Sequence, residues 1–140
     1  MPDRRVLVVE DDNDLRRFLV DALVDEGHDV REAAGGADAL AILASWMPDL
    51  ILLDISMPGM DGRTFRARQL RLPPPASQVP VVVVTGVHHY ADLVAELGAA
   101  ALLRKPFDLD ALLALVEELP ATGQAPTGAE GSHLPKPGWA

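Results

Sequence analysis

The sequence predicts a doubly wound α/β domain in which five parallel strands alternate with five helices, with a short tail lacking regular structure. Three observations carry this. Short runs that are apolar at every position recur along the chain, as in strands covered on both faces of a parallel sheet. Between them lie stretches with apolar residues at i, i+3, i+4 and i+7, the period of a half-buried helix. From Pro120 onward, 21 residues hold four prolines, four glycines and two formal charges with no apolar period, which reads as a disordered tail or linker.

Val6 to Val9 is a buried strand running into Glu10-Asp11-Asp12. Leu15, Phe18, Leu19, Ala22 and Leu23 then form one helical stripe, with Asp12 or Asn13 as cap and Gly27 at its end. Asp29 to Ala33 alternates polar and apolar, the pattern of an edge strand. Ala37, Leu40, Ala41 and Ala44 are expected to face a second helix inward, and Leu50 to Asp54 is the third strand. A third helix is expected over Gly62 to Leu72, capped by Asp61. Arg63, Arg66, Arg68 and Arg71 interrupt its stripe as a solvated face, and Pro73-Pro74-Pro75 stops it. Val79 to Val84 is the fourth strand. Tyr90, Leu93, Val94 and Leu97 repeat the helical stripe up to Gly98, and Ala100 to Arg104 is a short fifth strand. Pro106 breaks the chain, Asp108 caps, and Leu109, Leu112, Leu113 and Val116 turn the last helix inward. With the alternating second strand outside, the order is 2-1-3-4-5, the flavodoxin-like arrangement. Ligands of such sheets bind beyond the carboxyl ends of the strands, at the switch point between strands one and three. The domain is expected over residues 1–119 and the tail over 120–140.

Of the 140 residues 49% are hydrophobic and 24% charged, enough for one real core, and the net charge of −9 argues against a nucleic-acid surface as the principal role. Cysteine is absent, which excludes disulfides and thiol chemistry and fits a reducing compartment. The amino terminus is too short and too soon acidic for a signal peptide, and no apolar run approaches a membrane span. The expectation is a cytoplasmic protein.

The strand ends converge. Strand one ends in Glu10-Asp11, strand three in Asp54, strand four in Thr85 and strand five in Lys105-Pro106. An aspartate at the rim of a sheet is a helix cap, a metal ligand or a nucleophile, and its company decides which. Three carboxylates held together repel one another unless a cation intervenes. All-oxygen ligation favours Mg²⁺ or Mn²⁺, with Asp11 and Asp54 as direct ligands, Glu10 direct or through water, and the Ser56 carbonyl as a further donor. The part before Pro120 has ten arginines and one lysine, Lys105, a compact charge where Arg is otherwise always chosen. This set suits phosphoryl transfer. Asp54 needs no deprotonation to act as nucleophile, while a cation, Lys105 and the Thr85 hydroxyl neutralise the phosphoryl oxygens.

Val8-Val9-Glu10-Asp11-Asp12, Leu53-Asp54-Ile55-Ser56-Met57-Pro58-Gly59-Met60-Asp61-Gly62, Val84-Thr85-Gly86 and Lys105-Pro106-Phe107 resemble the receiver domain of two-component response regulators over about residues 4–119. The resemblance implies that Asp54 accepts a phosphoryl group from a phosphohistidine on a sensor histidine kinase or histidine phosphotransfer protein. It implies Glu10 and Asp11 as the acidic pair for Mg²⁺, Lys105 as the phosphate-contacting lysine and Thr85 as the switch hydroxyl. The family often has an aromatic three residues before the lysine; here stands Leu102, which leaves helix-four movement as the route of the signal. Gly86 stands where Ala or Ser is common. Ser56 and Val87 occupy the two variable places lining the attacking water's route, and both are short and neither acidic nor amide, implying slow self-dephosphorylation. No output domain fits after the last helix, so a stand-alone or separated receiver is expected. Its readout is a partner docking on helix four, strand five and helix five near Tyr90 and Leu102, without direct nucleic-acid or membrane contact; a phosphorylation-dependent dimer is left open.

Competing readings are a Mg²⁺-dependent phosphatase with an aspartyl phosphate, which needs an acid where Ser56 stands and a cap insertion, and an interaction module that is never phosphorylated. His88-His89 point about 100° apart on a helix and cannot clamp one ion together; Trp139 is a lone aromatic in the tail.

Overall fold

Runs of large aliphatics have no polar face to offer water, so the strands they form lie in the middle of the sheet. The computed structural model describes residues 4–57, 59–86 and 90–119. In it β1 (Arg5–Val9), β2 (Asp29–Ala33), β3 (Leu50–Asp54), β4 (Val81–Thr85) and β5 (Ala101–Arg104) form one parallel sheet in the order β2-β1-β3-β4-β5. Every residue of β3 and β4 is buried. The largely polar β2 is an outer strand, exposed at Asp29, Arg31 and Glu32, and the Arg31 guanidinium lies over the Trp46 ring at 5.0 Å. Pro80 lacks the N–H a ladder needs, so β4 starts at Val81 rather than at Val79.

The helices are α1 (Asn13–Asp25), α2 (Gly36–Leu43), α3 (Gly62–Leu70), α4 (Tyr90–Leu97) and α5 (Leu109–Glu118). Side chains alternate across a strand, and the core divides accordingly. Val6, Val8, Leu50, Leu52, Val82 and Val84 pack with Leu19 and Leu23 of α1 and Leu112, Leu115 and Val116 of α5. Leu7, Val9, Ile51, Leu53, Val81 and Val83 pack with α2, α3 and α4.

Four local expectations are corrected. Phe18 is 49% exposed, because it lies about 100° round α1 from the buried Leu19 and falls outside the contact stripe. In α2 the buried face is Gly36, Ala39 and Leu43, whereas Ala37, Ala41 and Ala44 are exposed. A helix whose only charged residue is Asp38 has no polar face to fix its rotation. α3 ends at Leu70, and a separate 3₁₀ turn, Ala76–Gln78, follows the prolines. Asp108 stands at the start of α5 without a side-chain cap; its backbone carbonyl accepts from Ala111 and Leu112 instead. Asp12 and Asp61 do cap, accepting from the N–H groups of Leu15 and Thr64 at 3.0 and 2.9 Å.

The arginines of α3 are not one solvated face. Arg66 is buried and donates to the carbonyls of Leu97 at 2.9 Å and Gly98 at 3.1 Å, past the end of α4, and to Gln69 Oε1 at 2.7 Å. Gln69 in turn donates to the carbonyls of Ala76 and Val79. The expectations for Pro58, Val87, His88, His89, Trp139 and the whole 120–140 tail lie outside the described residues.

Candidate functional site

Parallel strands of nearly equal length end together, so whatever follows each strand meets at one edge. Asp54 and Thr85 are the last residues of β3 and β4, and Glu10 and Lys105 directly follow β1 and β5. In register, Val9 pairs Leu53, Asp54 pairs Val84, and Thr85 pairs Arg104. The Lys105 N–H donates to the Thr85 carbonyl at 2.7 Å, which continues the ladder by one residue. The Lys105–Pro106 bond is cis.

Carboxylate oxygens of Glu10, Asp11 and Asp54 all lie within 4.8 Å of one another. Glu10 and Asp54 are buried, while Asp11 reaches solvent. Lys105 Nζ stands 3.5 Å from Glu10 Oε1 and 3.7 Å from Asp54 Oδ1. The Asp12 N–H donates to Glu10 Oε2 at 3.2 Å and the Ser56 N–H to Asp54 Oδ1 at 3.1 Å. Thr85 is 1% exposed at the same edge; Ser56 is exposed. A donor set of three carboxylates suits a hard divalent cation, and one of the three facing solvent leaves a path for entry.

Backbone geometry holds Asp54 close to α3. A Cβ on Gly62 would lie 2.7 Å from Ile55 Cα and 2.9 Å from the Asp54 carbonyl oxygen, so only glycine admits this approach. The Gly62 N–H donates to the Ile55 carbonyl at 3.1 Å. Leu102, on β5, is wholly buried, so its side chain lies beneath the surface rather than on it.

Sequence reading missed Arg16. Its side chain, one turn into α1, donates to the Glu10 backbone carbonyl at 2.9 Å, to Glu32 Oε1 at 2.9 Å and to Asn13 Oδ1 at 2.7 Å. Only its position four residues after Asp12 hinted at this.

Burial, then the neighbouring Asp54 charge, pushes Glu10 from 4.5 up to about 7, against the lowering pull of the Asp12 N–H and Lys105. Burial likewise raises Asp54, opposed by the Ser56 N–H and Lys105. A carboxyl raised in the folded state holds its proton longer than in the unfolded chain. Its contribution to stability is therefore complete below about pH 4.5 and is lost as pH rises to about 7. The Glu10 shift corresponds to at most about 3 kcal/mol. A divalent cation relieves the same repulsion. In thermal unfolding, the metal-free protein is expected to lose stability across this window, and added Mg²⁺ to raise the midpoint more at about pH 8 than at about pH 5. Equal shifts at both would contradict the assignment.

The family model for the response regulator receiver domain matches residues 6–117. Response regulator PleD of Caulobacter vibrioides is 41% identical over 117 residues, covering 82% of this chain and 26% of that protein. Response regulator MprA of Mycolicibacterium vanbaalenii is 39% identical, covering 82% and 49%. Among solved structures, chemotaxis protein CheY4 of Vibrio cholerae has a TM-score of 0.75 at 28% identity, covering 84% of this chain and 98% of that one. The Francisella response regulator 1452 receiver domain has a TM-score of 0.72 at 27% identity, covering 81% and 93%. The chain thus spans between about a quarter and a half of the curated relatives it matches.

Proposed function

We propose, because the chain belongs to the response regulator receiver domain family, that it is the phosphoacceptor of a two-component phosphorelay with Asp54 as the accepting residue. The observation that carries this is the gathering of Glu10, Asp11 and Asp54 within 4.8 Å, with Lys105 Nζ 3.5 and 3.7 Å from two of them. An Asp54 carboxylate oxygen attacks the phosphorus of a phosphohistidine. The new P–O bond forms as the P–N bond breaks, and the imidazole nitrogen leaves with the electron pair. Glu10, Asp11 and Asp54, with the Ser56 carbonyl, would hold Mg²⁺, which when bound neutralises nucleophile and phosphoryl oxygens alike; Mn²⁺ has the same ligand preference. Lys105 takes one phosphoryl oxygen and the Thr85 hydroxyl another. The chain catalyses only its own phosphorylation and the hydrolysis that reverses it.

The donor is a sensor histidine kinase or a histidine phosphotransfer protein, and the phosphorylated domain changes the partner it binds through α4, β5 and α5. With Leu102 buried, that surface is made by other side chains, such as Arg104 at the end of β5. Among the described residues no helix is long and apolar enough to cross a membrane, and we place the protein in the cytoplasm. Residues 120–140 serve as tail or linker to the domain.

Acetyl phosphate tests the reading. We expect one Mg²⁺-dependent phosphoryl group per chain, on Asp54 and labile to hydroxylamine. Continued turnover would indicate a phosphatase, and no label an interaction module. The acyl phosphate is expected to decay slowly, because Ser56 and Val87 stand at the two variable sequence positions that the family resemblance assigns to the water's route, and Val87→Glu to hasten decay about tenfold by orienting water. Equal decay of the two proteins would remove the role given to Val87.

A further inference from the structure

We propose that Arg16 is a positioning residue for cation binding: by holding the Glu10 backbone it keeps Glu10 and Asp11 turned toward Asp54. The proposal rests on the reading above that these three carboxylates take a divalent ion. Arg16 does not belong to that carboxylate cluster, and its guanidinium is spent on three different parts of the fold. Nη1 donates to the Glu10 carbonyl at 2.9 Å, Nη2 to Asn13 in the first turn of α1 at 2.7 Å, and Nε to Glu32 on the outer strand β2 at 2.9 Å. Its side chain is only 16% exposed, so this is a fixed fork rather than a solvated surface charge.

The consequence falls on one residue. The Glu10 N–H donates to the Ala33 carbonyl at 3.1 Å, so β2 holds Glu10 on its amino side while Arg16 holds it on its carbonyl side. With both backbone groups fixed, the direction of the Glu10 side chain and the start of the Asp11 residue are fixed too. The Asp12 N–H that supports Glu10 Oε2 belongs to the same short loop, and Asp12 caps α1, on which Arg16 itself stands. The loop carrying two of the three acids is thereby tied at its own far end. Losing the fork frees the loop to populate arrangements in which the three carboxylates no longer converge, and a cation must then gather them.

Charge and position predict opposite results. Arg16 is a cation beside a cation site, so as a bare charge its removal would tighten metal binding. As a positioning residue its removal weakens it. Mg²⁺ titration by calorimetry and Mn²⁺ titration by electron paramagnetic resonance, on the full chain, separate these. We expect Arg16→Met to weaken both ions about tenfold, equivalent to about 1.4 kcal/mol. Arg16→Lys, which keeps the charge but not the fork, is expected to weaken them about fivefold. Glu32→Gln, which leaves the Glu10 carbonyl contact in place, is expected to weaken them no more than about twofold. Unchanged or tighter binding by Arg16→Met and Arg16→Lys overturns the proposal, as does a lowered unfolding midpoint in chelator with affinity unaltered. Should Arg16→Met fail to fold, Arg16→Lys and Glu32→Gln decide alone. A wild-type chain that binds neither ion would instead sink the reading of the acidic cluster on which this one depends.

Discussion

Replacing Asp54 with asparagine is expected to abolish phosphoryl incorporation from acetyl phosphate while leaving the protein folded. The amide is nearly isosteric with the carboxylate, and its oxygen can still accept from the Ser56 N–H that Asp54 Oδ1 receives at 3.1 Å. What it lacks is the anionic oxygen that attacks phosphorus. The same change removes one of two buried negative charges. Since burial holds both Asp54 and Glu10 above their ordinary values, Asp54→Asn should make the metal-free protein more stable than wild type at about pH 8. Mg²⁺ should protect it less. Mass spectrometry for label and calorimetry for stability check both halves. Label retained by Asp54→Asn would move the acceptor elsewhere, and a less stable variant would contradict the electrostatic account.

Arg66→Met is expected to lower stability by about 3 kcal/mol, a fall of about 10–15 °C in the unfolding midpoint. Burial depresses the Arg66 pKa, yet its acceptors are ones that suit a cation: two carbonyls at the carboxyl end of α4 and the Gln69 side chain. Methionine fills similar space and donates nothing, so those acceptors lose their donor in a site that water reaches poorly. A cycle with Gln69→Leu should be strongly non-additive, because Gln69 links Arg66 to the carbonyls of Ala76 and Val79. The Arg63–Glu96 pair joins the same two helices at 3.0 Å but both side chains are 52% exposed. Arg63→Ala should therefore change stability by less than about 0.5 kcal/mol. Similar losses from Arg63→Ala and Arg66→Met would refute the distinction drawn from burial.

That distinction was invisible in the sequence. Arg63, Arg66 and Arg68 on α3 and Arg71 just past its end are four identical letters, and only the packing of α4 against α3 singles out Arg66. Arg16 escaped for a related reason, since its key acceptor is a backbone carbonyl, which every residue has. The phase of α2 escaped because a helix with one charged residue carries no polar face to read. By contrast, the strands and their order were legible. Leu50 to Leu53 and the four valines of 81–84 bury both faces, β2 is largely polar and exposed, and a doubly wound chain with those properties has one sensible order. The convergence of Glu10, Asp11, Asp54 and Lys105 was legible too, because strand ends in a parallel sheet must meet and only a few polar residues occur there.

Lys105 stands where an incoming metal would have to compete for the same oxygens, 3.5 Å from Glu10 and 3.7 Å from Asp54. A monovalent tenant already sits among the acids, and a divalent newcomer would have to dislodge it. An affinity for Mg²⁺ would then be an exchange constant rather than a simple association constant, and the displaced ammonium would be left beside the place a phosphoryl group would enter. Lys105→Met is accordingly expected to bind Mg²⁺ more tightly than wild type, by about threefold, and yet to accept phosphate more slowly. Tighter occupancy and poorer chemistry in one variant would show that the lysine is a placeholder whose displacement readies the centre.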